Sequence, residues 1–549
     1  MPLPKPPRHL ARVAALAALL ATALPGLATA QLGSAAPTRS LAGIPLLPLT
    51  RPGGEQDARE RLAQLTAAAE IAGYAQRTLA TRATTALGDS SGLAIIAPEL
   101  FYSNNSGHPW GWNDGALRAG VGNNVRLAGG FIVREGRVTA MLVPQLVAEQ
   151  NGFVPVYPYN DNQQPPRSPW AHPYHGPPES IDLPLRYGDR ARSAIDAEFR
   201  LAVDLPAQLR AGVSREHRWW GPSVRNPLLL GASAPPVTQL FVESREPWRT
   251  RVGEFDATLL LGALSEGEFF DFDDANDTRQ LSTAAITWRP ATGAASLLPE
   301  IGVSRAVMRA RAPRITGLFD FLADVGRPFS DSTDVPRGTD QISTLWMRWV
   351  VPESRLDAWM ELARYEQPIN LRDFLVNPGH TIGYTVGFAW APDFRGGTLL
   401  LQSEMSFAEP SPSVRVRPVG SSYASPSVLQ GWTHHGQMLG PGMGPAASTQ
   451  WGTLDWRGPQ WRMGLDLGRI RRDNNVLYTG VLPYPSRPDT QLWATLRLGR
   501  RIGPVDVLLE YSDAARLYYL WRAYDLPLEE GGWAGVDIPN RTFALTISP

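Results

Sequence analysis

The chain of 549 residues is long enough for several soluble domains or one large barrel, and its 52 basic and 52 acidic side chains balance. That balance lacks the basic surplus of a nucleic-acid binder. With no cysteine there is no disulfide framework, thiol nucleophile or cysteine metal site, and the only lysine, Lys5, leaves no lysine chemistry or P-loop in the body of the chain.

Residues 1–30 read as a secretory signal. Lys5, Arg8 and Arg12 precede an apolar run from Val13 to Leu24, and Ala28-Thr29-Ala30 is a small-x-small cleavage pattern before Gln31. Without this segment the charge is slightly acidic, about −3. No later run of eighteen apolar residues follows, so no spanning helix is expected. Residues 31–53 are a linker rich in Pro, Gly, Ala and Leu. From Glu55 to about residue 80 the spacing of Leu62, Leu65, Ala69 and Ala72 predicts one amphipathic helix, with Gly88 closing the region. Residues 31–92 are therefore set apart as a linker and helical segment.

From about residue 93 to 549 the apolar period changes to two. In Thr381 to Trp390, the large residues Ile382, Tyr384, Val386, Phe388 and Trp390 alternate with small or polar ones. Similar alternation runs through Phe255–Ala263, Ile342–Val351, Leu356–Tyr365, Leu399–Phe407, Trp461–Leu467, Leu492–Leu498, Val505–Tyr511 and Arg541–Ile547. The second face carries Asp256, Asp357, Glu361, Glu404, Asp466, Arg497 and Glu510. A soluble sandwich turns charge outward; a barrel in lipid turns apolar residues outward and polar ones inward. The expected fold class is all-β: a transmembrane outer-membrane β-barrel. At about 25 residues per strand and loop this length gives about 18 antiparallel strands. Tryptophans near strand ends, among them Trp346, Trp349, Trp390, Trp451, Trp461 and Trp493, are expected to form interfacial girdles.

Residues 151–187 form a proline-stiffened loop rich in aromatics and arginines. Tyr157, Tyr159, Arg167, Trp170, Tyr174, Arg186 and Tyr187 are suited to cover sugar rings and pair with uronate carboxylates. The alternative is a rigid loop without a ligand. His434 and His435 in the 410–450 region mark a second possible glycan surface. His172 and His175 have no identifiable third metal ligand, and Asp271 to Asp277 breaks the calcium-loop pattern at Ala275. Neither G-x-S-x-G nor H-E-x-x-H occurs, so no catalytic residue, metal or cofactor is assigned.

Trp219-Trp220-Gly221-Pro222, with Asn226, the triplet Leu228-Leu229-Leu230 and then Ala234-Pro235-Pro236, is on its own residues a strand, a turn and a second strand. Further along lie Trp359 to Tyr365, Pro378-Gly379-His380 and Tyr384 to Gly387, then His434 to Gly440 and Gly442 to Pro445. In this order the three groups resemble the Wzi family of outer-membrane capsule-assembly proteins. Pro441 and Ala446 depart from its polar pattern, and the N-terminal helical portion is shorter than the family's. The resemblance implies an eighteen-stranded monomeric barrel with a periplasmic helical part. It implies association with acidic surface polysaccharide, without turnover, and contact with outer-membrane lipid. The lumen would be blocked by inward side chains and by the helical part, with Arg218, Arg225, Arg348, Glu361, Arg364 and Glu404 as candidates for a charge network across it. A pore for small solutes is the alternative function, and a glycan hydrolase a more distant one.

Overall fold

The computed structural model describes residues 39–549 apart from 42–43, 67–73, 88–90, 156–180, 185, 272, 292–297, 318–337, 367–369, 412–416, 418, 479–486, 523–525, 528–532 and 535–536. Eighteen strands form the wall. They are β1 (Gly92–Asn105), β2 (Gly122–Glu135), β3 (Val138–Glu149), β4 (Arg192–Leu205), β5 (Leu209–Glu216), β6 (Val237–Ser244), β7 (Gly253–Ser265), β8 (Thr278–Pro290) and β9 (Glu300–Arg309). The second half comprises β10 (Thr339–Val351), β11 (Leu356–Arg364), β12 (Ile382–Trp390), β13 (Gly397–Phe407), β14 (Ser448–Arg457), β15 (Trp461–Arg471), β16 (Thr490–Ile502), β17 (Val505–Leu517) and β18 (Ile538–Ser548). Each pairs antiparallel with its sequence neighbour, and β18 closes on β1 from Thr542↔Asn105 to Ile547↔Leu100. Closure leaves no free sheet edge over that length. Short turns such as 136–137 and 503–504 gather at one end. Nine longer connections, L1 to L9 in chain order, gather at the other.

Side-chain parity divides each strand between lipid and lumen. On β12, Gly383, Thr385 and Ala389 face in, while Phe388 and Trp390 are 41% and 46% exposed on the outside. Leu127, Leu146, Leu201, Ile286, Val303, Leu454, Leu498 and Phe543 continue the outer apolar band around the wall. Inside, charged residues are buried in pairs. This inverted polarity is what a barrel in lipid requires. Trp248, Trp288 and Trp456 donate their indole N–H groups to the turn carbonyls of Ala207, Val252 and Phe394, and with Trp349 and Trp390 they form a belt near the short-turn end. Trp346, Trp451 and Trp493 are not part of it. Each is under 5% exposed and points inward, because its strand position has the opposite parity.

The N-terminal part enters the lumen. A hairpin formed by Arg39–Leu41 and Ile44–Leu47 lies beside β1, pairing in parallel at Leu46↔Ile95 and Leu47↔Ile96. The expected single helix is two. Helix α1 (Glu55–Leu65) stops at Thr66, whose hydroxyl bonds back to the carbonyls of Leu62 and Ala63. Gln76–Arg77 then pair as a short strand with Trp219–Trp220, and α2 (Leu79–Leu87) follows. Leu62 and Leu65 pack on Trp359 and Leu400, as their spacing required; Ala69 and Ala72 lie outside the described residues. Helix α2 packs with Leu47 and Leu49 over the inner faces of β1 to β3.

Candidate functional site

L3 (residues 217–236) does not leave the barrel as a surface loop. It folds inward and crosses the lumen, with Trp219 fully buried and Trp220 2% exposed. Two carboxylates on the facing wall hold it. Glu361 on β11 accepts the backbone N–H groups of Ser223 at 2.7 Å and Leu228 at 3.1 Å. Glu404 on β13 accepts those of Val224, Arg225 and Asn226 at 2.6, 3.0 and 3.2 Å, and the Trp359 indole at 3.1 Å. Tyr423 donates to the Leu228 carbonyl at 2.8 Å. Gly221, at φ +97°, passes so close to Glu361 that a Cβ would lie 2.2 Å from its carboxylate. Glycine there satisfies both the backbone angle and the close approach. Buried N–H groups need acceptors, so these two glutamates fix the crossing.

Arginines tie the other lumen contents to the wall. Arg61 of α1 pairs with Asp357 at 2.8 Å and lies over Trp359 at 4.1 Å; Arg348 holds the same Asp357 at 2.9 Å. Arg218 pairs with Glu243 at 2.8 Å and Glu216 at 3.1 Å, and Arg200 closes the quartet. Arg225 reaches Asp466 at 2.7 Å across the lumen and stacks on Trp451 at 4.2 Å. The six residues expected to form one network thus separate. Arg218, Arg225 and Arg348 belong to three different clusters. Glu361 and Glu404 bind backbone N–H groups rather than arginines. Arg364 is on the outer face of β11, donating to the Pro378 carbonyl over Phe374; its parity matches Met360 and Leu362.

Among the described residues two larger cavities lie towards β14 to β18. The inner one, of about 310 Å³, is lined by Trp110, Trp112, Trp451, Trp493, Arg225 and Arg497 among others, and extends to Glu55, Arg457 and Arg462 near the short-turn end. The outer one, of about 280 Å³, lies among L1 (106–121), L2 (150–191), L7 (408–447), L8 (472–489) and L9 (518–537) and includes Arg118, Arg186, Tyr187, Arg472, Arg516 and Trp521. Trp110, Gly111, Asn113 and Asp114 of L1 (residues 106–121) line both. One stretch of chain therefore forms a septum between them. Trp110 and Trp112 pack at 5.7 Å, each against Trp493 at 5.2 and 5.9 Å, and Asn113 bonds to the Arg225 carbonyl and the Ser233 hydroxyl. Burial pushes Asp114 up to about 6, opposed by Arg126 and Arg51.

Of the expected glycan residues, Tyr157, Tyr159, Arg167, Trp170 and Tyr174 lie outside the described residues. Arg186 is at the outer cavity, 5.7 Å from the Phe153 ring, and the neighbouring Tyr187 ring carries Arg118 at 3.7 Å. His434 is 3% exposed, and its Nδ1 accepts the Ser265 amide at 2.9 Å. Burial, reinforced by His435, holds its pKa well below the usual range, so it stays neutral. The sequence reading missed the septum. The signal was Trp110-Gly-Trp-Asn-Asp114, an aromatic and turn-forming run after a strand.

No family model and no curated protein matches the sequence. Solved structures do. The chain is similar to that of Wzi from Escherichia coli, described as an outer-membrane protein involved in group 1 capsule assembly and a carbohydrate-binding β-barrel. The match has a TM-score of 0.51 at 12% identity over 82% of this chain and 84% of that one. OccK7 (OpdD) of Pseudomonas aeruginosa matches at TM-score 0.38 and 10% identity, over 83% of this chain and 98% of that one. A BenF-like porin of Pseudomonas fluorescens matches at 0.36 and 9%, over 84% and 99%. The first match has the same fold: a closed eighteen-stranded antiparallel barrel.

Proposed function

We propose that this chain, exported by the signal at residues 1–30, is a non-catalytic outer-membrane barrel that associates with acidic polysaccharide at the cell surface and helps assemble or attach a capsule. In this reading residues 31–92 are the periplasmic segment and 93–549 the barrel, working as a monomer. The long-loop end faces outward, because short turns face the periplasm in such barrels. The observation that carries the reading is the crossing of L3, anchored on Glu361 and Glu404. A barrel that commits two buried carboxylates to closing its lumen is built to hold rather than conduct. The outer cavity adds arginine beside aromatic rings, Arg118 on Tyr187 and Arg186 near Phe153. Guanidinium groups suit uronate carboxylates and ring faces suit sugars. Exposed ion pairs are worth about 0–1 kcal/mol each, so oligosaccharides bind weakly, long polymer gains avidity, and salt loosens it.

The test measures polymer retention by cells carrying Arg167→Gln with Trp170→Ala, and by cells carrying Arg118→Gln, with barrel insertion checked by heat-modifiable migration. Reduced, salt-sensitive retention supports the reading; full retention in both argues against it. One observation favours a second reading, a passage for small solutes: Trp110, Gly111, Asn113 and Asp114 line both cavities. Conductance in planar bilayers decides. A large steady conductance of the unmodified protein selects the pore.

A further inference from the structure

Part of L6 (residues 365–381) is tied to the outer side of the wall and carries a short helix, α3 (Leu371–Val376). Arg364, on the outer face of β11, lies over the Phe374 ring at 5.2 Å and donates to the Pro378 carbonyl at 3.0 Å. The side chain of Asn370 caps the helix by accepting the Asp373 amide at 2.9 Å, and Asp373, its one half-buried residue, pairs with Arg417. At about 3.6 residues per turn, Leu371, Phe374 and Leu375 share the face opposite Asp373. They are 55%, 37% and 67% exposed. A surface helix in water turns its apolar face inward and its charge outward. This helix does the reverse, as the wall strands do where lipid lies outside them.

The level of α3 on the wall identifies what covers that face. Arg364 pairs with Ile382, one lipid-facing step beyond Leu362↔Tyr384 towards the long-loop end. Tyr384 stacks on Phe407 at 5.5 Å, and both have the outward parity of Val386 and Met405. Outward aromatic rings at the end of an apolar band mark the boundary between acyl chains and headgroups. The apolar face of α3 therefore starts where the band on β11 to β13 stops, and continues it. We infer that α3 is an interfacial anchor, seated in the lipid leaflet at the long-loop end. Leu371, Phe374 and Leu375 lie among the upper acyl chains, and the exposed Arg372 at their flank reaches the headgroup phosphates. Through the Asp373–Arg417 pair the anchor also holds part of L7 at the membrane surface. This assignment rests on the barrel lying in lipid and not on the polymer reading.

The chain has no cysteine, so a single introduced one carries a fluorophore without background. The test places the full chain in phosphatidylcholine nanodiscs with a label at Leu375→Cys, at Val386→Cys as the lipid reference, or at Asp274→Cys, in the exposed acidic turn, as the water reference. Each is challenged with iodide and with lipids spin-labelled either near the headgroup or near the chain end. The Leu375 label is quenched most by the spin label near the headgroup, as expected for a depth of roughly 5–10 Å, and severalfold less by iodide than the Asp274 label. The Val386 label is quenched most from the chain end. Leu371→Cys reports on the same face where Leu375→Cys fails to insert. A Leu375 label as open to iodide as the Asp274 label, with Val386 still quenched by lipid, overturns the anchor alone. Protection of Leu375 from iodide and from both spin labels puts protein over the face and overturns it too. Loss of lipid quenching at Val386 as well overturns the assignment of the lipid face along with it.

Discussion

The wall beside β4 to β13 and the wall beside β14 to β18 are built from the same alternating strand, yet one encloses solid protein and the other encloses space. On the first side Trp220, Leu228, Leu229, Phe241, Trp346, Trp432 and Met443 form one continuous buried core. On the second the aromatic cluster is smaller, Trp451 and Trp493 with Trp110 and Trp112 against them, and both cavities adjoin it. On the first side Asp357, Glu216 and Glu243 take arginines, as acids on the second side do, but two further acids do not. Glu361 and Glu404 take backbone N–H groups and so pull chain into the lumen. Asp455, Asp466 and Glu510 take arginine side chains, which brace the wall and leave room. What sets the filled side apart is this pair of inward acids with main-chain partners.

The most damaging change to this arrangement is Glu404→Ala. Three backbone N–H groups and one indole lose their acceptor in a buried site, lowering the unfolding free energy by about 3–5 kcal/mol. Urea titration of protein refolded into lipid vesicles checks it, and the same variant gains conductance if L3 is what closes the lumen. Next comes Val386→Arg, which puts a charge on the lipid face at the middle of β12 and costs about 2–4 kcal/mol near the midplane. Gln402→Arg, one strand away and facing the inner cavity, escapes that cost. Gly387 is a poor inward control, because a Cβ there would lie 2.3 Å from the Trp359 ring.

A smaller effect belongs to Asp182, whose carboxylate accepts the Gly267 amide at 2.5 Å. Burial pushes it up to about 6 from an ordinary 3.8, with Arg279 opposing. The folded state therefore holds its proton longer than the unfolded chain does. Stability from this group is greatest below about pH 4 and declines as pH rises to about 6, by on the order of 2 kcal/mol. Asp182→Asn keeps the acceptor and flattens that decline, read from unfolding midpoints across the same range. The smallest effect is that of Arg364→Gln. On the outer face, with one carbonyl partner, it changes stability by within about 0.5 kcal/mol.

Much of the wall was legible because it depends on parity alone. The alternation in Ile382 to Trp390 states which side is lipid, and the length of chain gives the strand number. The lumen was harder to read, since its contacts join residues far apart. Nothing near Trp219-Trp220-Gly221-Pro222 announces that Glu361 and Glu404, more than 130 positions later, accept its neighbours' amides. Read locally, that stretch is a strand and a turn. The same limit explains Arg364: as a charge three positions from inward Glu361 it looked like lumen, yet its parity with Met360 and Leu362 sends it outward. Trp346 and Trp349 differ in the same way, three residues and one face apart.

The seam between β18 and β1 carries a consequence for assembly. The final strand stops pairing at Leu100, and the hairpin at Arg39–Leu47 takes up β1 again at Ile95 and Ile96. The hairpin thus covers part of β1 that the final strand leaves unpaired. A chain lacking its first ninety or so residues would still zip its ends together, but would keep an unsatisfied strip of β1 at the rim, open to a strand from another molecule. In this barrel the leading segment also serves as a stopper against pairing with its own kind.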